Sequence, residues 1–97
     1  MIYLKGEVRK TLDSGYTNKS TGERIQQAKL ILEPEQGSQN YEVILTNKHL
    51  KAGVRELWDK LIGQTVYIAV SIYVNHDYHF YKYTAAGDAE PLKGLKP

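Results

Sequence analysis

Lysines, arginines and tyrosines set among glycines are the residues of this chain whose types and spacing suggest chemistry. The stretch SGYTNKSTGER, residues 14–24, carries Tyr16, Lys19 and Arg24 with two glycines and a single acid, Glu23. Such a composition does not bury itself; it makes a polar turn or finger. A cation held there can meet phosphate oxygens, and a ring beside it can accept an unpaired base. A solvated hairpin loop is the plain alternative for the same residues. The chain has eight tyrosines against one Phe and one Trp. A phenol is amphipathic, so this excess points to rings on a wet surface, although cross-strand packing also employs tyrosine.

Other chemistry finds less support. His76 and His79 flank Asp77 in HDYH, and His49 stands apart. With no cysteine in the chain, a zinc site would need all three histidines or a carboxylate, so no metal or other cofactor is expected. Neither a nucleophile elbow, a phosphate-binding glycine loop nor a metalloprotease helix motif occurs. Glu56 and Asp59 lie among Lys51, Arg55 and Lys60, the pattern of a charge-paired helix surface. Neither an enzyme nor a small-molecule substrate is expected.

The net charge is only +2, but its distribution is uneven. Residues 1–29 hold six Lys or Arg and three acids, whereas residues 30–47 hold Glu33, Glu35 and Glu42 and no basic residue. The excess of positive charge sits in the first strand-like run and the finger, where it can steer a polyanion. Arg9, Lys19, Arg24 and Lys29 are the cations that would follow phosphates. No run of apolar residues is long enough for a membrane helix, and the N-terminus lacks the pattern of a signal peptide. The expectation is a protein without a membrane partner, in the cytoplasm.

The elements that must position these residues follow from periodicity. Residues 2–12 alternate, with Ile2, Leu4, Val8 and Leu12 on one face and Gly6 marking a bend. Residues 24–33 give a second strand with Ala28, Leu30 and Leu32 inward, and residues 41–46 a third with Tyr41, Val43 and Leu45 on one side. Leu50, Val54, Leu57, Trp58 and Leu61 then follow helical spacing, with Asn47 as a candidate N-cap and Gly63 ending the helix. Residues 65–74 place Val66, Ile68, Val70, Ile72 and Val74 on one face, and residues 78–85 return. A three-residue turn at 75–77 pairs Ile72 with Phe80 and Val74 with Tyr78. That register gathers Tyr67, Tyr73, Tyr81 and Tyr83 on the outer face, with Tyr73 beside His79 and Ser71 beside Tyr81. A two-residue turn would scatter them.

Three strands, a helix and two strands predict an all-β fold: a five-stranded OB-fold-like barrel over residues 1–85, with one helix between strands three and four. Residues 86–97 read as a flexible tail. The finger is then the loop between strands one and two. Trp58 and Leu61 are expected to plug one end of the barrel.

The opening MIYLKGEVRK, the run SGYTNKSTGERIQQAKLILE and the aromatic hairpin resemble the gene V-type helix-destabilising proteins of filamentous bacteriophages. Ser14, Gly15, Lys19, Gly22, Arg24 and Gln27 stand in that family's pattern of a strand, a basic glycine-containing wing and a following strand. The resemblance implies a homodimer that binds single-stranded DNA cooperatively, without a cofactor, in the bacterial host cytoplasm. It implies DNA contacts from Tyr16, Lys19 and Arg24, with Tyr73 or Tyr81 stacking bases. The residues alone leave open two other uses of such a barrel: a protein-interaction or assembly module, and an RNA-binding regulator.

Overall fold

A computed structural model of the protein describes residues 2–37, 39–75, 77 and 80–91; the side chains of Asn75, Phe80 and Tyr81 lie outside that description. The elements in chain order are β1 (Ile2–Asp13), β2 (Tyr16–Thr17), β3 (Arg24–Ile25), β4 (Ala28–Glu33), β5 (Tyr41–Leu45), α1 (Asn47–Lys51), α2 (Val54–Asp59), β6 (Thr65–Asn75) and β7 (Phe80–Ala85). Five strands close a barrel in the order β1–β4–β5–β7–β6. All neighbours are antiparallel except β5 and β7, which run parallel from Val43 opposite Tyr83 to Ile44 opposite Thr84. This is an all-β, OB-like barrel with its helices between the third and fourth barrel strands.

The strand β1 serves two neighbours. Its first half pairs with β6, Ile2 opposite Val70 through Glu7 opposite Thr65. Its second half pairs with β4, and the register shifts between Val8 and Lys10. Gly6, the expected bend, instead permits a close approach: a Cβ there would stand 3.0 Å from both the Glu33 carbonyl oxygen and Leu32 Cβ. The bulge after Val8 reverses the alternation that the sequence suggested. Leu12, expected in the core, is 42% exposed. Thr11 turns towards the helices instead, where its Oγ1 donates to Asp59 Oδ1 at 2.6 Å and accepts from Arg55 Nε at 3.1 Å.

The core holds Leu4, Val8, Leu30, Leu32, Val43, Leu45, Ile68 and Val70, with Trp58 fully buried among them and Leu61 packed against the cluster. The single helix of the sequence reading is two short ones. Gly53, with φ of 79°, separates them by a left-handed turn that only glycine adopts without strain. Thr46, not Asn47, caps the first. The Thr46 N–H donates to His49 Nδ1 at 3.1 Å. That ring nitrogen therefore bears no proton, and Nε2 donates to the Gly87 carbonyl at 2.9 Å.

That bond belongs to a second correction. Residues 86–97 read as a loose tail, but 86–89 are docked. The Ala86 N–H donates to Ala69 at 2.9 Å, Trp58 Nε1–H donates to the Ala89 carbonyl at 2.8 Å, and Ala89 itself is buried. A buried indole N–H needs a partner, and sequence periodicity does not reveal which backbone supplies it. Residues 92–97 lie outside the described ones.

The hairpin of β6 and β7 also differs from its expected register. Val70 faces Ala85, Ser71 faces Thr84, Ile72 faces Tyr83, Tyr73 faces Lys82, Val74 faces Tyr81 and Asn75 faces Phe80. With Asn75 opposite Phe80 the ladder leaves four residues between the strands, where the expected register left three. His76, Tyr78 and His79 are outside the described residues. A changed turn length moves every partner across the pleat, so Tyr83 joins Ile72 rather than the outer tyrosines.

Candidate nucleic-acid interface

The finger is a sheet of its own. The second sequence strand, read as 24–33, divides: Ala28–Glu33 stays in the barrel while Arg24–Ile25 leaves it to pair with Tyr16–Thr17. Tyr16, read as part of an unsupported loop, therefore stands in a short strand opposite Ile25. The Asn18 N–H donates to the Glu23 carbonyl at 2.8 Å, and the Gly22 N–H to the Asn18 carbonyl at 2.7 Å. Asn18 Oδ1 also accepts from the Ser20 N–H at 2.9 Å. Gly22 turns the tip with φ of 74°. At the base, Ser14 N–H donates to the Gln27 carbonyl at 3.0 Å, and Asp13 Oδ1 accepts from the Gly15 N–H at 2.8 Å. Asn, Ser, Thr, Asp and Gly thus act through turn chemistry, not through burial.

Pairing fixes where the side chains go. Tyr16 lies opposite Ile25, and Thr17 opposite Arg24, so the ring and the guanidinium occupy opposite faces of the ribbon. The Arg24 guanidinium lies close over Gly15, where a Cβ would meet its Nη2 at 2.9 Å. Tyr16 is 50% exposed, and Lys19 and Arg24 are exposed. Among the described residues, neither cation makes an ion pair.

The barrel's cations are differently placed. Arg9 Nη1 meets Glu7 Oε2 at 2.8 Å and Glu33 Oε2 at 3.4 Å. The hydrogen bond that Arg9 donates to Glu7, with the charge of Glu33, holds the guanidinium pKa above its ordinary value. Lys29 Nζ meets Glu42 Oε1 at 3.1 Å. Glu33 and Glu42 belong to the block of negative charge visible in residues 30–47. Beside Glu42 a shallow groove of about 530 Å³ is lined by Lys10, Leu12, Ile31, Gln39, Asn40 and Glu42, with no aromatic ring among these described residues. At the other end of the β1–β4 pair a cleft of about 380 Å³ is lined in part by Glu7, Glu33 and Glu35. The outer face of β4 and β5, where such barrels commonly take oligonucleotides, therefore holds neither uncommitted cations nor stacking rings among its described residues.

The candidate tyrosines are divided. Tyr73 is 52% exposed, and Lys82 Nζ stands 5.6 Å from its ring centroid. Tyr83 is partly buried and meets Tyr41 edge to face at 5.8 Å. Tyr81 pairs with Val74 in the ladder; its side chain lies outside the description. Gln27 is half-buried at the finger's base. Two residues that the sequence reading passed over accompany Tyr73: Tyr3, 55% exposed, and Lys5, whose Nζ is 6.0 Å from the Tyr67 centroid. Alternation along β1 puts Tyr3 and Lys5 on the face opposite Leu4, and the pairing of β1 with β6 sets them beside Tyr67. Among the described residues, no group of three His, Cys, Asp or Glu side chains is placed to hold a metal, and no helix is long and apolar enough to cross a membrane.

No family model matches the chain, and neither a curated protein nor a solved structure matches it.

Proposed function

We propose that the protein binds single-stranded DNA without sequence specificity, gripping it by the β2–β3 finger. One observation carries this reading. The cations of the finger stand on a ribbon outside the barrel with no acid paired to them among the described residues, and that ribbon carries a half-exposed tyrosine on the face opposite Arg24, whereas Arg9 and Lys29 are already held by glutamates. An exposed ribbon of this kind gains little stability from its charges. Near a phosphate chain the same charges release counterions, and Tyr16 offers a face to a base. The resemblance of residues 14–27 to the gene V-type wing supports the same reading, and with it a role in phage or mobile-element DNA replication and a homodimeric state in the bacterial cytoplasm. Neither catalysis nor a cofactor is part of it.

Titration of labelled oligo-dT at two or more salt concentrations tests the reading. Affinity should fall with salt, with a slope of about −0.7 per phosphate neutralised. Competition between DNA and RNA oligomers of one sequence separates the reading from an RNA-binding regulator. A second reading has its own observation: Ile72 and Val74 are 39% and 49% exposed on a hairpin that outruns the barrel. Exposed aliphatics of this kind mark protein contacts, and an assembly module using them would bind its partner with little dependence on salt.

A further inference from the structure

The outer face of β1, β6 and the start of β7 is a surface the finger does not explain. Four rows cross it. Lys5 lies opposite Tyr67 and Tyr3 opposite Ala69, then Ser71 opposite Thr84 and Tyr73 opposite Lys82. These rows contain three tyrosines, two lysines and no acid. At one end Glu35 reaches Lys5 at 3.5 Å, a pair whose partners are both solvent-accessible and which salt screens readily. The exposed aliphatics Ile2, Ile72 and Val74 alternate onto the opposite face, so this surface is aromatic and cationic without being aliphatic. A protein interface would be expected to use those aliphatics; this face leaves them out.

We propose that this face is a stacking platform for unpaired bases, a second contact for the strand held by the finger; the proposal rests on the single-stranded DNA reading. Tyr3 and Tyr73 are its two base-accepting rings, and Lys82, which no carboxylate holds among the described residues, its phosphate contact. Ala69, opposite Tyr3, is four residues from Tyr73 along β6, about 13 Å in an extended strand. Stacked neighbours in one strand lie about 3.4 Å apart. The two rings therefore take bases that are not adjacent, with unstacked nucleotides between them. In the free protein each lysine rests against a ring, Lys5 at Tyr67 and Lys82 at Tyr73. Such exposed cation–π contacts are weak, so a base can displace the ammonium from Tyr73 while the ammonium turns to the adjoining phosphate.

The test compares labelled oligo-dT with an abasic deoxyribose-phosphate oligomer of equal length, which keeps the phosphates and lacks the bases. Tyr3→Ala should weaken oligo-dT binding roughly 5- to 150-fold, the range of one lost base–aromatic stack, and leave abasic binding unchanged. Tyr3→Phe should retain wild-type affinity. Lys82→Ala should weaken both oligomers and lower the salt slope by about 0.7. Thermal melting verifies that each variant is folded, and Lys82→Ala stands independently if Tyr3→Ala is not. Wild-type oligo-dT affinity in folded Tyr3→Ala and Lys82→Ala, with binding lost on removing Lys19 and Arg24, would overturn the platform and leave the finger reading intact. A changed sedimentation coefficient in Tyr3→Ala with unchanged oligo-dT affinity would assign the face to contact between copies and also overturn the platform. No binding of wild type to oligo-dT would remove both readings.

Discussion

Two ribbons leave this barrel, and they are built on opposite principles. The finger of β2 and β3 is polar at nearly every position and is held by Asn, Thr and Asp side chains bonding to backbone N–H groups. The arm formed by the far halves of β6 and β7 continues a barrel strand outward and keeps that strand's alternation, so its aliphatics emerge with it. The first shows cations and a ring; the second shows Ile72 and Val74 on one face and Tyr73 on the other. Of the four cations read from the sequence as phosphate contacts, the barrel's own Arg9 and Lys29 are paired with Glu7, Glu33 and Glu42, and among the described residues only the finger's Lys19 and Arg24 are not. Counting basic residues overstates the surface available to a polyanion. What distinguishes a binding cation is that no carboxylate has reached it first.

Both ribbons depend on one core, and the largest effect should come from there. Trp58→Ala should destabilise the protein by about 3–5 kcal/mol, since it empties the plug and strands the Ala89 carbonyl. Chemical denaturation measures this, and wild-type stability would mean that the helices do not seal the barrel. Gly6→Ala acts on the seam between β1 and β4, where backbone as well as side chain stands 3.0 Å from the added Cβ. A loss of about 1–3 kcal/mol is expected, with finger and arm equally affected because both hang from β1 or its neighbours.

The ribbons themselves should then part company. Tyr16→Ala should lower affinity for oligo-dT by about 1–3 kcal/mol with no change in melting temperature, because the ring packs on nothing in the core. Ile72→Thr combined with Val74→Thr should alter monomer stability by no more than about 0.5 kcal/mol, since both side chains are already exposed and threonine suits a strand. If that pair changes the sedimentation coefficient instead, the arm is a contact between protein molecules.

The barrel was legible because its signals are local. Leu30, Leu32, Val43 and Leu45 alternate cleanly, and Trp58 with Leu61 keeps helical spacing; all but Leu61 are buried in the core, and Leu61 packs against it. The departures came where one residue changes the phase. A bulge after Val8 inverts Leu12, a property of two strands meeting that neither strand's sequence announces. The ladder of β6 and β7 ends with Asn75 opposite Phe80, which moves Tyr81 three positions, from opposite Ser71 to opposite Val74. Helical spacing runs unbroken from Leu50 through Val54 to Trp58, so the division at Gly53 follows only from its positive φ in the fold. The finger's residues were legible from composition, whereas the opposition of Tyr16 and Arg24 across the ribbon follows only from the pairing of Tyr16 with Ile25. Tyr3 and Lys5 were legible as an outer face but not as neighbours of Tyr67, since β1 and β6 lie far apart in sequence.

The salt dependence of oligo-dT binding, compared between wild type and the folded double variant Lys19→Ala, Arg24→Ala, tests the central claim most directly. If the finger's unpaired cations hold the phosphates, the double variant should bind every single-stranded sequence more weakly by a similar factor. The slope of log affinity against log salt should become shallower by about 1.4, two contacts at about 0.7 each. The same affinity and the same slope in both proteins would contradict the account: the finger would be a solvated loop, and any strand would be held elsewhere.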